Sequence, residues 1–153
     1  MSPLHSVDTD AYRLDVVGRV IVCTHRRGPA APVMAKLTEV LATQAATYPD
    51  GHGAVLLLSE GATPPDEDTR KRFMNVVREP SFKGLGVAVL GGGFWAATAR
   101  SVVTFFVVVG RLPVRLYPDG RLAQRWVLER LGPSVDVHEP ALNACVEAHE
   151  RVA

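Results

Sequence analysis

The stretch LGVAVLGGGFWAATARSVVTFFVVVGRLPVRLY, residues 85–117, decides the fold. Its first part, Leu85 to Leu90, is a short apolar run typical of a strand buried on both faces. After three glycines, the segment Phe94 to Val109 carries a single charge, Arg100. At about sixteen residues this segment exceeds a typical strand, so a buried helix is favoured despite its many valines. Val114 to Tyr117 supplies the next strand, and such a crossover predicts a parallel pair.

The residues before this unit predict a hairpin followed by alternating helices and strands. Ser2 to Asp8 has the pattern of a loose lead. Two apolar runs, residues 11–17 and 19–25, are separated by Gly18 and predict an antiparallel hairpin. A helix is expected from Pro32, since proline is tolerated in the first turn, and the run AVLLL at 54–58 predicts a buried strand.

Capping and terminating residues predict three further helices in the rest of the chain. Thr63 precedes a proline and an acidic turn, so it is expected to cap a helix that ends at Pro80. Asp119 is expected to cap a second helix, which Gly132 terminates. From about Pro140 the apolar spacing predicts a last amphipathic helix that docks on the body or on a partner.

Together these elements predict one α/β domain. Its sheet has five strands, with an N-terminal antiparallel hairpin and then parallel strands joined by covering helices. The expected boundaries are an N-terminal lead over residues 1–9, the domain over 10–132 and a C-terminal tail helix over 133–153.

Composition limits the possible partners and location. Of 153 residues, 47% are apolar and 22% charged, which is ordinary for a soluble globular protein, and the net charge of +1 gives no reason to expect nucleic acid. Arg100 interrupts the most apolar helix, so no integral membrane segment is expected. Cys23 and Cys145 lack paired spacing, and no signal peptide precedes Asp10. A reduced, cytoplasmic protein is therefore expected.

Three stretches give the chain a resemblance to a known family. They are the hairpin YRLDVVGRVIVCTH, the strand exit AVLLLSEG and the closing pattern ARSVVTFFVVVGRLPVRLYPDGRLAQRWVLERL. This pattern resembles the STAS fold of bacterial anti-sigma factor antagonists, and in particular the divergent sporulation-antagonist-like group. In that group an alanine–arginine helix start precedes a short strand and an acid-capped helix with a tryptophan. The corresponding residues here are Ala99, Arg100, Asp119 and Trp126.

The resemblance implies a regulatory module that acts through protein contact. STAS antagonists are switched by phosphorylation of a serine, preceded by aspartate, after the central strand. This chain has SEGATPPDEDT there and lacks that motif, and the acidic residues 66–68 would repel an added phosphate. The phosphorylation switch is therefore not expected.

The glycine turn before the apolar helix is the predicted binding site. Backbone N–H groups at a helix start can contact an anion, and aromatic side chains after the turn can line a pocket or an interface. A plain structural turn is the alternative, because neither GxGxxG nor GxxxxGK[ST] is present. The candidate binding residues are Gly91, Gly92, Gly93, Phe94, Trp95 and Arg100.

Two functions follow from these observations. The first is a non-enzymatic regulatory or scaffolding module that contacts a protein partner, with a homodimer through the apolar helix as the expected oligomer. The alternative is a small-ligand binder, for a lipid or an anionic nucleotide, with its pocket near Gly91 to Trp95. No catalytic set, cofactor or metal site is expected. The pair Cys23 and His25 lacks the second pair of ligands that zinc requires.

Overall fold

The computed structural model describes residues 5–133, 136–151 and 153, and for residues 5, 94, 105, 106, 109 and 110 it describes only the backbone. Strands and helices alternate through the described part of the chain after an antiparallel start. The strands are β1 (His5–Asp8), β2 (Tyr12–Val17), β3 (Val20–His25), β4 (His52–Leu58), β5 (Phe82–Val89) and β6 (Val114–Tyr117). The helices are α1 (Ala30–Thr47), α2 (Glu67–Val77), α3 (Gly93–Gly110), α4 (Gly120–Leu131) and α5 (Glu139–Arg151).

The predicted mixed sheet is confirmed, but the predicted number of five strands is wrong. The sheet has six strands in the order β1-β2-β3-β4-β5-β6, antiparallel up to β3 and parallel from there. The sixth strand is β1, in the segment expected to be a loose lead, of which residues 2–4 lie outside the described residues. Its sequence HSVD holds one apolar residue, so it carries no alternating pattern, and backbone pairing with β2 defines it.

The parallel strands fix which face each helix covers. Strands β3 to β6 follow one another in sheet order, and right-handed crossovers in one direction put their helices on one face. Apolar residues of α1, α2 and α3 accordingly share a core cluster with one face of the sheet, while α4 and α5 share a second cluster on the other. None of the helices in the described part of the chain has the length and apolarity needed to cross a membrane.

Strand glycines allow α4 to lie unusually close to the sheet. A Cβ atom at Gly53 would be 2.7 Å from a methyl group of Val127, and one at Gly86 would be 2.7 Å from the carbonyl oxygen of Ala123. At Gly84 the space is filled by the ring of Trp126, 3.0 Å from such an atom. The glycines of β4 and β5 are therefore explained by packing against α4.

The N-terminal cap of α2 differs from the prediction. Asp66, not Thr63, caps this helix, and its Oδ1 accepts a hydrogen bond of 2.8 Å from the backbone N–H of Thr69. The backbone N–H of Thr63 donates instead to the carbonyl oxygen of Gly28, which ties the loops after β3 and β4 together. The expected cap of α4 is confirmed, because Asp119 Oδ1 accepts from the N–H of Leu122 at 2.9 Å.

A buried hydrogen-bond chain holds the tail helix α5 against β2 and β3. His149 on α5 is fully buried, with Nδ1 2.7 Å from Thr24 Oγ1 and Nε2 2.7 Å from Asp15 Oδ2. The carboxylate also accepts from the Ser6 hydroxyl and from Arg13 Nε. The tail helix therefore docks on the body of the domain, which is one of the two positions that the sequence left open.

We predict that a methyl group at Gly86 destabilises the fold more than one at Gly84. The Gly86→Ala side chain meets helix backbone, which cannot move without displacing α4, so we expect a loss of about 1–3 kcal/mol in unfolding free energy. The Gly84→Ala side chain meets the ring of Trp126, which can tilt, so the loss is smaller. Urea unfolding of both variants measures the difference, and equal losses would contradict the close approach at Gly86.

We also predict that acid destabilises the protein through His52. Burial, and secondarily the charge of Lys83, lower the pKa of this imidazole from 6.5 to about 4. The folded state therefore disfavours the protonated ring. The contribution of neutral His52 to the free energy of unfolding is fully present above pH 6.5. It falls by at most about 1.4 kcal/mol per pH unit between pH 6.5 and 4. Urea unfolding across this range tests the effect. His52→Gln should flatten the slope, and an unchanged slope would contradict the prediction.

Candidate functional site

Helix α3 is poorly covered at the positions whose side chains the structure describes. It lies over β5 and β6, and β6 is an edge strand of four residues, so little sheet surface is available beneath it. Of the α3 side chains that the structure describes, only Ala96 is buried, although the helix is strongly apolar. Val108 is 70% exposed and is the only large apolar side chain in the described part of the chain that is so exposed.

An apolar cavity of about 120 Å³ lies between α3, α2 and the sheet. Its floor includes Leu56, Leu85 and Val87 from the central strands. The roof is formed by α3, which contributes Trp95, Ala99, Val102 and Val103, and α2 closes one side with Phe73 and Met74. The cavity is only partly enclosed, so a molecule can reach it from solvent.

The cavity wall is almost entirely carbon, because its polar residues direct their nitrogen and oxygen atoms elsewhere. His25, at the carboxyl end of β3, is buried and its Nε2–H donates to the carbonyl oxygen of Gly28 at 3.0 Å. Burial lowers the pKa of this imidazole, against the opposing effect of backbone hydrogen bonds from Gly28 and Arg27. The ring is therefore neutral at pH 7, and His25 adds no charge to the cavity.

The structure separates the six residues that the sequence grouped as a binding site. Trp95 lines the cavity, whereas Arg100 is exposed and does not line it. Gly91, Gly92 and Gly93 form an exposed turn in which the first and third have positive φ angles of 89° and 71°. Gly92 is the N-cap residue of α3. The side chain of Phe94 lies outside the described residues.

Sequence reasoning missed most of the cavity wall. Its apolar residues have the sequence pattern of ordinary core residues, and Phe73, Met74 and the strand residues do pack in the core cluster. What the spacing could not show is that α2 and α3 remain far enough apart to leave space between them. A signal was present in Pro64 and Pro65, which line the cavity and delay the start of α2 to Glu67.

Two nucleophilic side chains, Cys23 and Ser59, lie in or directly after the central strands. Burial, and secondarily the charge of Asp15, raise the pKa of the Cys23 thiol to about 12, so the thiol is protonated at pH 7. The Ser59 hydroxyl, at the exit of β4, is buried without a hydrogen-bond partner in the described part of the chain.

Comparisons with known proteins give no family for this chain. No protein-family model matches the sequence, and no curated protein matches it significantly.

Proposed function

We propose that this domain is a non-enzymatic binding module that takes up a small apolar molecule, or the apolar end of a larger one, beneath α3. The single observation that carries the proposal is the carbon-lined cavity of about 120 Å³ under a helix that is itself poorly covered. An engineered apolar cavity of about 150 Å³ remains dry and binds benzene, so a space of this size suits a ligand of similar volume.

The composition of the wall narrows the ligand class. The described lining residues expose almost no polar surface to the cavity, so the site offers little to orient a phosphate or a base, and an anionic nucleotide fits poorly. A hydrocarbon ring or the end of a short acyl or isoprenoid chain fits better. Such a ligand would gain about 25 cal/mol for each Å² of apolar surface removed from water.

A regulatory role in a reduced, cytoplasmic setting is consistent with this binding. Both cysteines are free and buried, and neither depends on an oxidising compartment. A kinship with STAS-like antagonists remains part of the proposal, supported by the hairpin that leads into successive strand–helix units. In that case ligand uptake under α3, in place of phosphorylation, would change the surface offered to a protein partner.

We predict that bromobenzene enters the cavity and quenches the fluorescence of Trp95. The chain has two tryptophans, so the Trp126→Phe background leaves Trp95 as the only reporter. In this background we expect saturable quenching. Adding Ala99→Leu, which fills the roof of the cavity, should weaken binding by about tenfold or more.

The matched control is Ala97→Leu in the same background. Ala97 is on the same helix but is exposed and does not line the cavity, so this change should leave the affinity as it was. Quenching that never saturates, or that falls equally in both leucine variants, would show that the probe does not occupy the cavity.

A second candidate function is self-association through α3. Val108, at 70% exposure, favours it, because a second copy would cover this large apolar side chain. The occupant we propose is a second copy of this chain. Two copies of a helix that carries only one charged side chain, Arg100, can meet with little electrostatic repulsion.

We predict that the chain is a dimer at micromolar concentration and that Val108→Asp makes it a monomer. A carboxylate buried in this contact loses its hydration, which disfavours the dimer. Light scattering during size-exclusion chromatography gives the mass, and Ala42→Asp on the exposed face of α1 is the control that should remain dimeric. A monomer at every concentration of the unmodified chain would exclude this candidate.

A further inference from the structure

We propose that Asp15, Cys145 and His149 form a binding site for a transition-metal ion, with Zn²⁺ as the best fit. This site lies on the opposite side of the sheet from the apolar cavity, between the tail helix α5 and strands β2 and β3. It is independent of the proposed ligand binding.

The spacing of the three side chains suits a metal. Cys145 and His149 are four residues apart on α5, so they lie on the same face one turn apart, and Asp15 faces them from β2. Their potential ligand atoms, one sulfur, one nitrogen and one carboxylate oxygen, all lie within 4.8 Å of one another. Ligand atoms around a tetrahedral zinc are about 3.3–3.8 Å apart. Asp15 Oδ2 and His149 Nε2, 2.7 Å apart, would therefore separate slightly, and no other pair needs a large movement.

The donor types select zinc over a hard cation. Thiolate and imidazole ligands suit Zn²⁺, whereas Ca²⁺ and Mg²⁺ require oxygen ligands. The chain supplies three ligands, namely one carboxylate, one imidazole and one thiolate. The fourth position of a tetrahedral site is left for water. The two anionic ligands balance the charge of the ion. They also offset the repulsion between the ion and the nearby cations Arg13 and Arg26.

Groups that would support the ligands are already in place. Thr24 Oγ1 lies 2.7 Å from His149 Nδ1, where it can hold the ring while Nε2 binds the metal. Ser6 and Arg13 donate to the carboxylate of Asp15 and fix its orientation. Such outer partners orient metal ligands and raise their affinity for the ion.

Binding would rearrange two protons. In the metal-free network, Nε2–H of His149 donates to Asp15 Oδ2 and Nδ1 accepts from the Thr24 hydroxyl. The metal takes the place of the Nε2 proton, which moves to Nδ1 and is then donated to Thr24 Oγ1. Cys145 binds as the thiolate and loses its proton to solvent, so about one proton is released for each ion bound.

An entry path leads to the sulfur from the surface. Cys145 lines a shallow surface cavity together with Arg13 and His138, so the cluster is not sealed from solvent. Because Cys145 binds as the thiolate, the ion must displace its proton, and affinity should increase with pH.

Metal binding to the untagged chain, after dialysis against a chelator, tests the proposal. We expect one Co²⁺ per chain with the near-ultraviolet absorption of a thiolate-to-cobalt charge transfer, and displacement of Co²⁺ by Zn²⁺. Calorimetry with Zn²⁺ in two buffers should show release of about one proton per ion. Zn²⁺ should also raise the midpoint of thermal unfolding, because it binds the folded state.

The two cysteines of the chain provide a matched pair of variants. Cys145→Ser should remove the charge-transfer band. It should also lower Zn²⁺ affinity by more than the roughly 10–100-fold expected for loss of an outer partner such as Thr24. Cys23→Ser, which changes the buried cysteine on the opposite face of the sheet, should retain both. Circular dichroism confirms that each variant is folded.

Two results would overturn the proposal. Either the unmodified chain shows no charge-transfer band with Co²⁺, or the band persists in Cys145→Ser. In both cases the cluster is a closed hydrogen-bond network that only anchors α5.

Discussion

The direction of the crossovers along the parallel sheet determines the arrangement of the rest of the molecule. Strands β3 to β6 follow one another in order, and crossovers of the usual right-handed sense put their helices on one face. The apolar residues of α1, α2 and α3 share one core cluster accordingly. The last of these helices reaches the edge of the sheet, where β6 offers four residues of support. An apolar helix placed over a short edge strand cannot be fully covered, and the cavity and the exposed Val108 both follow from this placement.

The two faces of the sheet are packed in different ways. On the α3 side, side chains meet across a gap that no polar group occupies. On the other side, α4 is so close that strand glycines are required, and α5 is held by a hydrogen-bond chain through His149. The face under α4 and α5 is closely packed, whereas the opposite face, well filled beneath α1, leaves space between α2 and α3. This division favours a binding module in which one helix can adjust while the scaffold remains fixed.

The sequence predicted the α/β class, the hairpin, the crossover helices and the mixed sheet, because each has a periodic apolar pattern or a glycine or proline boundary. It missed β1, since HSVD has no such pattern and pairing with β2 alone defines it. It placed the cap of α2 at Thr63, because sequence cannot show that this residue is used to join two loops. Of the predicted site, Trp95 lines the cavity. The remaining wall comes from residues that sequence alone cannot distinguish from core.

The pairing of strand glycines with α4 also constrains how this chain can diverge. A larger residue at Gly86 would require α4 to move away from the sheet at Ala123. A side chain at Gly53 would require the replacement of Val127 by a smaller residue. Substitutions on the two elements should therefore be tolerated only in compensating combinations. Distant relatives would then retain this pairing of small strand residues with larger helix residues, even after their loop motifs had been replaced.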